Sequence, residues 1–590
     1  MLSPGSTRTR LALTFVLGLH ALASCADPGP EPAGFGLALT GPSGPGLPPD
    51  VAFLRVLYRV GDAEPQLQVA AVSELATNEG RRQLALDDLP AGSSVSVRVE
   101  GQLASGEIAY VGGYGPVTLV GGERLAAPII LVNANESEPI SGAPPGRFLH
   151  SAARLPDGRV LITGGFGEPS SVACPEGTAA DARCFRASAL EDAWLFDPNS
   201  LSFHEVVGGL LEARAGHTST TLPDGRVLVA GGASQALLVF DAAAPRLPRF
   251  IPVDAAGMGS ALATFEQFDP DANASSVRDP ARGAFVGSAA APAMVAPLLA
   301  ARFLHAAAEL TSAPGQVLLV GGTSGPSSAG TFERFDAMRP GGYGVSQTSL
   351  GALLQERETP SALGMQGMGA DAVWIFGGNR ARSNEELAER WISSSTNPAG
   401  SVSSATTTAF PLPAVDAPDS PHPEYAFPRT LAARFADHTH ALVAPAYPPF
   451  CGDSAAPMFA PTSLVTPLGS CREPVDLRRC MLVDANDGAT QPCQTLQAHL
   501  AGAAGELQDG VLLSGGFGDL SENLSMSIER FQLSPEQPAQ LVALPALGLA
   551  AARAFHTTTG LPEGGALSVG GLRFDSGAPL LAESAEFVRW

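Results

Sequence analysis

Histidines closing short recurring phrases are the first residues in this chain whose type and spacing could do chemistry. His150, His217, His305 and His556 end GRFLH (146–150), ARAGH (213–217), ARFLH (301–305) and ARAFH (552–556), and His438-Thr-His440 sets two more imidazoles on one face of an extended segment. A zinc site needs three or four such ligands converging at about 2.0–2.1 Å. The four phrases are copies of one head, and copies in a repeated architecture are spread apart rather than brought together. The pattern therefore predicts a structural role and no metal. The histidines and Arg147, Arg214, Arg302 and Arg553 satisfy backbone groups, and the arginines pair with glutamates on neighbouring strands.

Carboxylates give the second candidate. Asp269-Pro-Asp271-Ala-Asn273 has the one-three-five spacing of a calcium loop, yet its sixth position is Ala274 rather than glycine and its twelfth is Pro280 rather than glutamate. Asp484-Ala-Asn486-Asp487-Gly488 is incomplete in a similar way. Both read as turns, with Asp269, Asp271 and Asn273 as the calcium candidates. Gly367-Met-Gly369-Ala-Asp-Ala372 matches a loose dinucleotide pattern but falls between two strand segments, the wrong context for a phosphate loop. The chain has no G-x-S-x-G elbow and no H-E-x-x-H pair. All 35 basic residues are arginine, and without lysine neither a Walker-type phosphate loop nor a pyridoxal-phosphate Schiff base can form. A net charge of −23 opposes a phosphate backbone, so nucleic acid is not an expected partner. The residues assemble no catalytic constellation, and the chain reads as a non-enzyme without a cofactor.

The cysteines address location. Arg8 and Arg10 precede the apolar run LALTFVLGLHA, and Leu-Ala-Ser-Cys follows at 22–25. This reads as a secretory signal over 1–24, and its last four residues resemble a bacterial lipobox, which implies a lipid on Cys25. The other six cysteines suit disulfides in an oxidising compartment. Cys174 is expected to join Cys184, and two bridges of open connectivity fall among Cys451, Cys471, Cys480 and Cys493. The body is expected to be exported and tethered in the cell envelope, the outer membrane being the favoured site, with no membrane contact beyond the anchor.

The elements that must position these groups are strands. Each head is followed by an apolar strand, a turn such as PDG or PEGG, a second apolar strand and a diglycine. LPDGRVL occurs at both 155–161 and 222–228. The diglycines are Gly164–Gly165, Gly231–Gly232, Gly321–Gly322, Gly377–Gly378, Gly515–Gly516 and Gly570–Gly571. A third strand of the form Glu-x-aromatic follows at Glu266, Glu333, Glu389 and Glu529, with Asp192-Ala-Trp194 as the first version. Asp-Gly favours a tight hairpin turn, glycine after a strand permits close backbone approach, and the aromatic fills the gap between sheets. One such sheet cannot bury its own faces, so copies must stack. Heads fall near 150, 217, 305, 360, 438, 499 and 556, the fifth unit starting near Arg434 without a diglycine. The last unit ends one strand short at Trp590, and Pro128–Val132 is expected to complete it.

This pattern resembles the kelch repeat, and within it the galactose-oxidase-like branch, across about three quarters of the chain. The resemblance implies a seven-bladed β-propeller over 147–590, with a Cys-rich insertion at 446–495. It also raises a copper-radical oxidase as an alternative, but the tyrosines of this half, Tyr343, Tyr425 and Tyr447, form no Tyr-His pair. A calcium-stabilised structural module is the other alternative. Ahead of the repeats, 25–34 reads as a Pro/Gly spacer and 35–138 as an immunoglobulin-like or prealbumin-like β-sandwich. The fold class is thus all-β. The expected function is binding or scaffolding of an extracellular or periplasmic protein or glycan, held by the enlarged loops at 166–190, 233–262, 395–428 and 446–495.

Overall fold

A computed structural model describes residues 31–590, apart from 43, 45, 62, 79–80, 177, 179, 241–247, 254–260, 274–278, 288–297, 312, 325–329, 338–344, 347–349, 368–369, 379–387, 395–396, 406–429, 446–477, 519–523, 538–539, 576 and 583–584. The signal segment, Cys25, Cys451 and Cys471 lie outside the described residues. Every described element except a three-residue 3-10 turn at Val72–Glu74 is a strand. The protein is all-β, in keeping with a composition of 66 glycines and 51 prolines and only 16% charged residues.

Residues 33–133 form two sheets. One orders Ala76–Asn78, Arg81–Leu89, Ala33–Thr40 and Arg124–Ile130; the other orders Gln66–Ala71, Val51–Val60, Ser94–Leu103, Ile108–Thr118 and Val132–Asn133. Alternation along SVSVRVE puts Val95, Val97 and Val99 into a core shared with Phe35, Leu37 and Ile129 of the first sheet. Arg98 emerges on the other face and donates to the carbonyls of Glu563 (2.6 Å) and Trp590. Gly115 N–H donates to Asn199 Oδ1 at 2.8 Å. The outer face of this sheet is thereby tied to the seventh and first repeats.

Each repeat is a four-stranded antiparallel sheet, supplemented in the third by Gly351–Ala352. In the first, Ser151–Arg154, Val160–Thr163, Ala193–Asp197 and Ser202–Glu205 follow in order. Second strands such as VLIT (160–163) and VLVA (227–230) are buried at every position, because sheets pack against both of their faces. That is why they read as unbroken apolar runs. The apolar clusters are shared pairwise: Leu161 and Leu195 pack with Val227 and Phe268, and Leu228 and Phe265 pack with Leu319 and Phe335. The last cluster joins Leu567, Val569 and Phe587 of the seventh repeat to Val160, Ile162 and Phe196 of the first. The first strands follow the same order, and Thr557–Gly560 lies beside Ser151–Arg154.

Two expectations need correction. The seventh sheet does take its fourth strand from ahead of Arg147, but the strand is Ser137–Pro139, with Ser137 opposite Val588 and Pro139 opposite Glu586. Pro128–Ile130 is instead committed to the N-terminal sheet, parallel to Ala33–Thr40. The fifth repeat opens with the strand Thr430–Arg434, which ends where the unit was expected to start, so the head expected near 438 follows its first strand instead of preceding it. His438 sits in the following turn at φ +58°, where Asp437 Oδ1 accepts the backbone N–H groups of Thr439 and His440 (3.1 and 3.2 Å). An Asx turn here does the work of the PDG turns elsewhere.

Candidate functional site

The head residues converge within each repeat, not between repeats. Arg147, Arg214, Arg302, Arg357 and Arg553 are fully buried. Each donates through Nη1 to the carbonyl of the first diglycine residue: Gly164 (3.0 Å), Gly231 (2.7 Å), Gly321 (2.7 Å), Gly377 and Gly570 (2.9 Å). Each also pairs with a carboxylate on or just ahead of the third strand: Asp192 (2.6 Å), Glu266 (2.7 Å), Glu333 (2.9 Å), Glu389 (2.8 Å) and Glu586. The glutamates complete their shells with backbone N–H groups of the segment entering the head, as Leu211 and Glu212 do for Glu266 at 2.7 and 3.1 Å, and Asp192 accepts from Trp194 Nε1 at 2.7 Å. A buried ion pair is tolerable because nearly every donor and acceptor is met.

The histidines knit one repeat to the one before. Nε2 of His217 lies 2.8 Å from Thr163 Oγ1, His305 3.0 Å from Thr218, His556 3.1 Å from Ser514 and His150 2.7 Å from Thr557. Burial holds all four rings neutral. It pushes His150 and His305 down to about 3, helped by Arg147 and Arg302 respectively, and carries His217 and His556 well below the ordinary histidine range. The diglycine lies between these heads. Gly164 and Gly165 hold φ of +51° and +98°, and a Cβ would meet Arg214 O at 2.2 Å on the first and His150 Cβ at 2.7 Å on the second. Only glycine fits both sides of that seam.

The remaining candidates are placed as follows. His440 Nδ1 contacts Asp437 Oδ2 at 2.5 Å and its Nε2 stands 3.5 Å from Asp484, while His438 lies in the turn. Asp269 accepts the N–H of Asp271 (2.9 Å), and Asp271 meets Arg282 Nε at 3.2 Å. Arg282 also reaches Asp157 at 2.8 Å, so an arginine already supplies positive charge to this acidic turn. Asn273 adopts φ +56°, a left-handed turn position. Among the described residues no three His, Cys, Asp or Glu side chains form a metal-holding group. Disulfides join Cys174 to Cys184 and Cys480 to Cys493, the latter directly opposite on adjacent strands of the fifth repeat.

Sequence reasoning missed three participants. Arg357 repeats the node in ERETP, a head without histidine, by meeting the expected Glu389; Glu586 was hidden because Phe587 follows it directly; and His499 replaces the arginine in the sixth repeat. It also missed a whole sheet. Segments from the first and second repeats, Ser170–Val172, Arg183–Ser188, Gln235–Phe240 and Arg249–Val253, pair as one sheet. Its Leu238, Phe240 and Phe250 pack onto Phe148, Phe303 and Phe555 of the heads and onto Phe517, which follows the sixth repeat's diglycine. The parts of 166–190 and 233–262 that form strands are thus a packed cap. Most of 395–428 and 446–495 lies outside the described residues. No protein-family model matches the chain, and no curated protein matches it.

Proposed function

We propose that the chain is an exported, lipid-anchored binding or scaffold protein of the cell envelope. In this reading the N-terminal sheets are a β-sandwich stalk, and the seven repeats are the blades of a kelch-type propeller presenting its head end to a partner. The head polar groups serve the seams, so recognition falls to what the heads expose. One observation carries the binding reading: a leucine three residues before the buried cation stands exposed in four repeats. Leu211, Leu299, Leu354 and Leu496 are 41, 42, 54 and 70% exposed. All four are held alike, their backbone N–H groups bound by Glu266, Glu333, Glu389 and Glu529. Repeated aliphatic groups on one end of a rigid scaffold suit a protein partner above a glycan, and the charge of −23 suits a basic one.

The test is co-purification from the envelope of the producing cell, comparing the native chain with a variant carrying Leu211→Ser, Leu299→Ser and Leu354→Ser. The reading expects a defined partner on the native chain and its loss, with unchanged folding, on the variant. A partner retained equally by both would move the site elsewhere, and a folded chain that retains nothing would count against binding altogether.

A further inference from the structure

In the sixth repeat a histidine takes the place of the buried arginine, and its two contacts constrain where its ring hydrogens lie. His499 Nδ1 lies 2.8 Å from the Gly515 carbonyl oxygen, and Nε2 lies 3.0 Å from Glu529 Oε1. These are the two partners that arginine Nη1 and the guanidinium edge meet in the other repeats. A carbonyl oxygen only accepts, so Nδ1 carries a hydrogen. Glu529 also accepts the N–H groups of Leu496 (2.8 Å) and Gln497 (3.0 Å), the arrangement of an ionised carboxylate. Both contacts of the ring exist together only if the His499–Glu529 pair keeps one proton beyond neutral imidazole and carboxylate.

We infer that the sixth head is a pH-sensitive latch: a titratable proton, shared by His499 and Glu529, holds together a node that arginine closes permanently in five other repeats. Loss of that proton sets the Nε2 lone pair against Glu529 Oε1 in a buried place, with His499 1% and Glu529 5% exposed at the side chain. The titratable groups facing the node across the seam are Arg553, whose carbonyl accepts from Gly516 N–H at 2.8 Å, and His556, whose Nε2 lies 3.1 Å from Ser514 Oγ. Arg553 is itself neutralised by Glu586. The device opens toward alkaline pH, because folding retains a proton that must leave. It loosens the join between Gly515–Gly516 and the seventh head, at the end of the molecule that displays Leu496.

Two measurements on the full chain test it. Nitrogen-15 NMR of labelled histidine at pH 6 should show a ring protonated on both nitrogens whose signals are missing from His499→Gln. Peptide-resolved amide exchange, corrected for intrinsic rates, should show protection of 503–548 falling relative to 218–287 between pH 6 and 10, by up to tenfold per pH unit once the proton is lost. His499→Arg should abolish that slope, and His499→Gln should give low protection at every pH. A singly protonated ring as the one lost in His499→Gln at pH 6, or a protection ratio flat to pH 10 in the native chain, would overturn the inference. So would an unchanged slope in His499→Arg; should that variant not fold, the native chain and His499→Gln decide it.

Discussion

Lowering the pH from 7 to 5 should strip the protein of stability through its four neutral head histidines. His150 and His305 are pushed down to about 3 by burial, whereas an unfolded histidine titrates near 6.5. A folded value below the unfolded one means that the unfolded chain takes up protons first. The stabilisation is therefore complete above about pH 6.5 and declines as pH falls toward about 3. Between pH 7 and 5 each of these two rings should cost about 1.9 kcal/mol, roughly 4 kcal/mol together, by proton linkage. His217 and His556 are lowered for the same reason and add in the same direction. Against a typical total of ~5–15 kcal/mol, that is a large fraction. Urea denaturation followed by fluorescence of the buried Trp374 and Trp391 would measure it at pH 7, 6 and 5. His305→Gln should be weaker at pH 7, having lost the Thr218 contact, but should lose about one proton's worth less stability on acidification. A native chain equally stable at pH 7 and 5, or a variant with the native slope, would refute the reasoning.

Other consequences follow from the seams. Arg302→Leu leaves Glu333 buried with no guanidinium to neutralise it and should cost about 3–5 kcal/mol in chemical denaturation; adding Glu333→Leu should recover part of that. Gly165→Ala forces a Cβ into a left-handed conformation 2.7 Å from His150 Cβ and should cost at least about 1–3 kcal/mol, read as a lower urea midpoint. Replacing Ser137 and Glu138 with proline removes the backbone donors of the strand facing Phe587 and Val588 and should lower the melting temperature of the repeats, not only of the N-terminal sheets.

The regular parts of this fold were legible because each carries a local physical signature. Diglycines marked the seams, PDG and PEGG marked hairpins, and Glu-x-aromatic marked third strands whose Glu266, Glu333, Glu389 and Glu529 meet Arg214, Arg302, Arg357 and His499. What stayed hidden depends on partners distant in sequence. Nothing local distinguishes Ser137–Pro139 from neighbouring extended residues as the strand that pairs with Ala585–Val588. The cap sheet required two insertions to be read together, since Arg183–Ser188 finds its partner only in Gln235–Phe240. His438 misled because a left-handed turn residue imitated a head. His499 was recognisable in sequence as a head residue, but its substitution for arginine shows only through Gly515 and Glu529.

The central claim is that the repeats close on themselves through a strand from the N-terminal side. Ser137 and Val588 stand directly opposite in register, so their Cα atoms lie within reach of a disulfide, roughly 4.5–5.5 Å for an antiparallel pair. In Ser137→Cys/Val588→Cys made under oxidising conditions, peptide mapping without reductant should recover a cross-linked species joining the two segments, with a raised melting temperature. Two free thiols in a folded protein would contradict the closure and, with it, the propeller on which the functional reading rests.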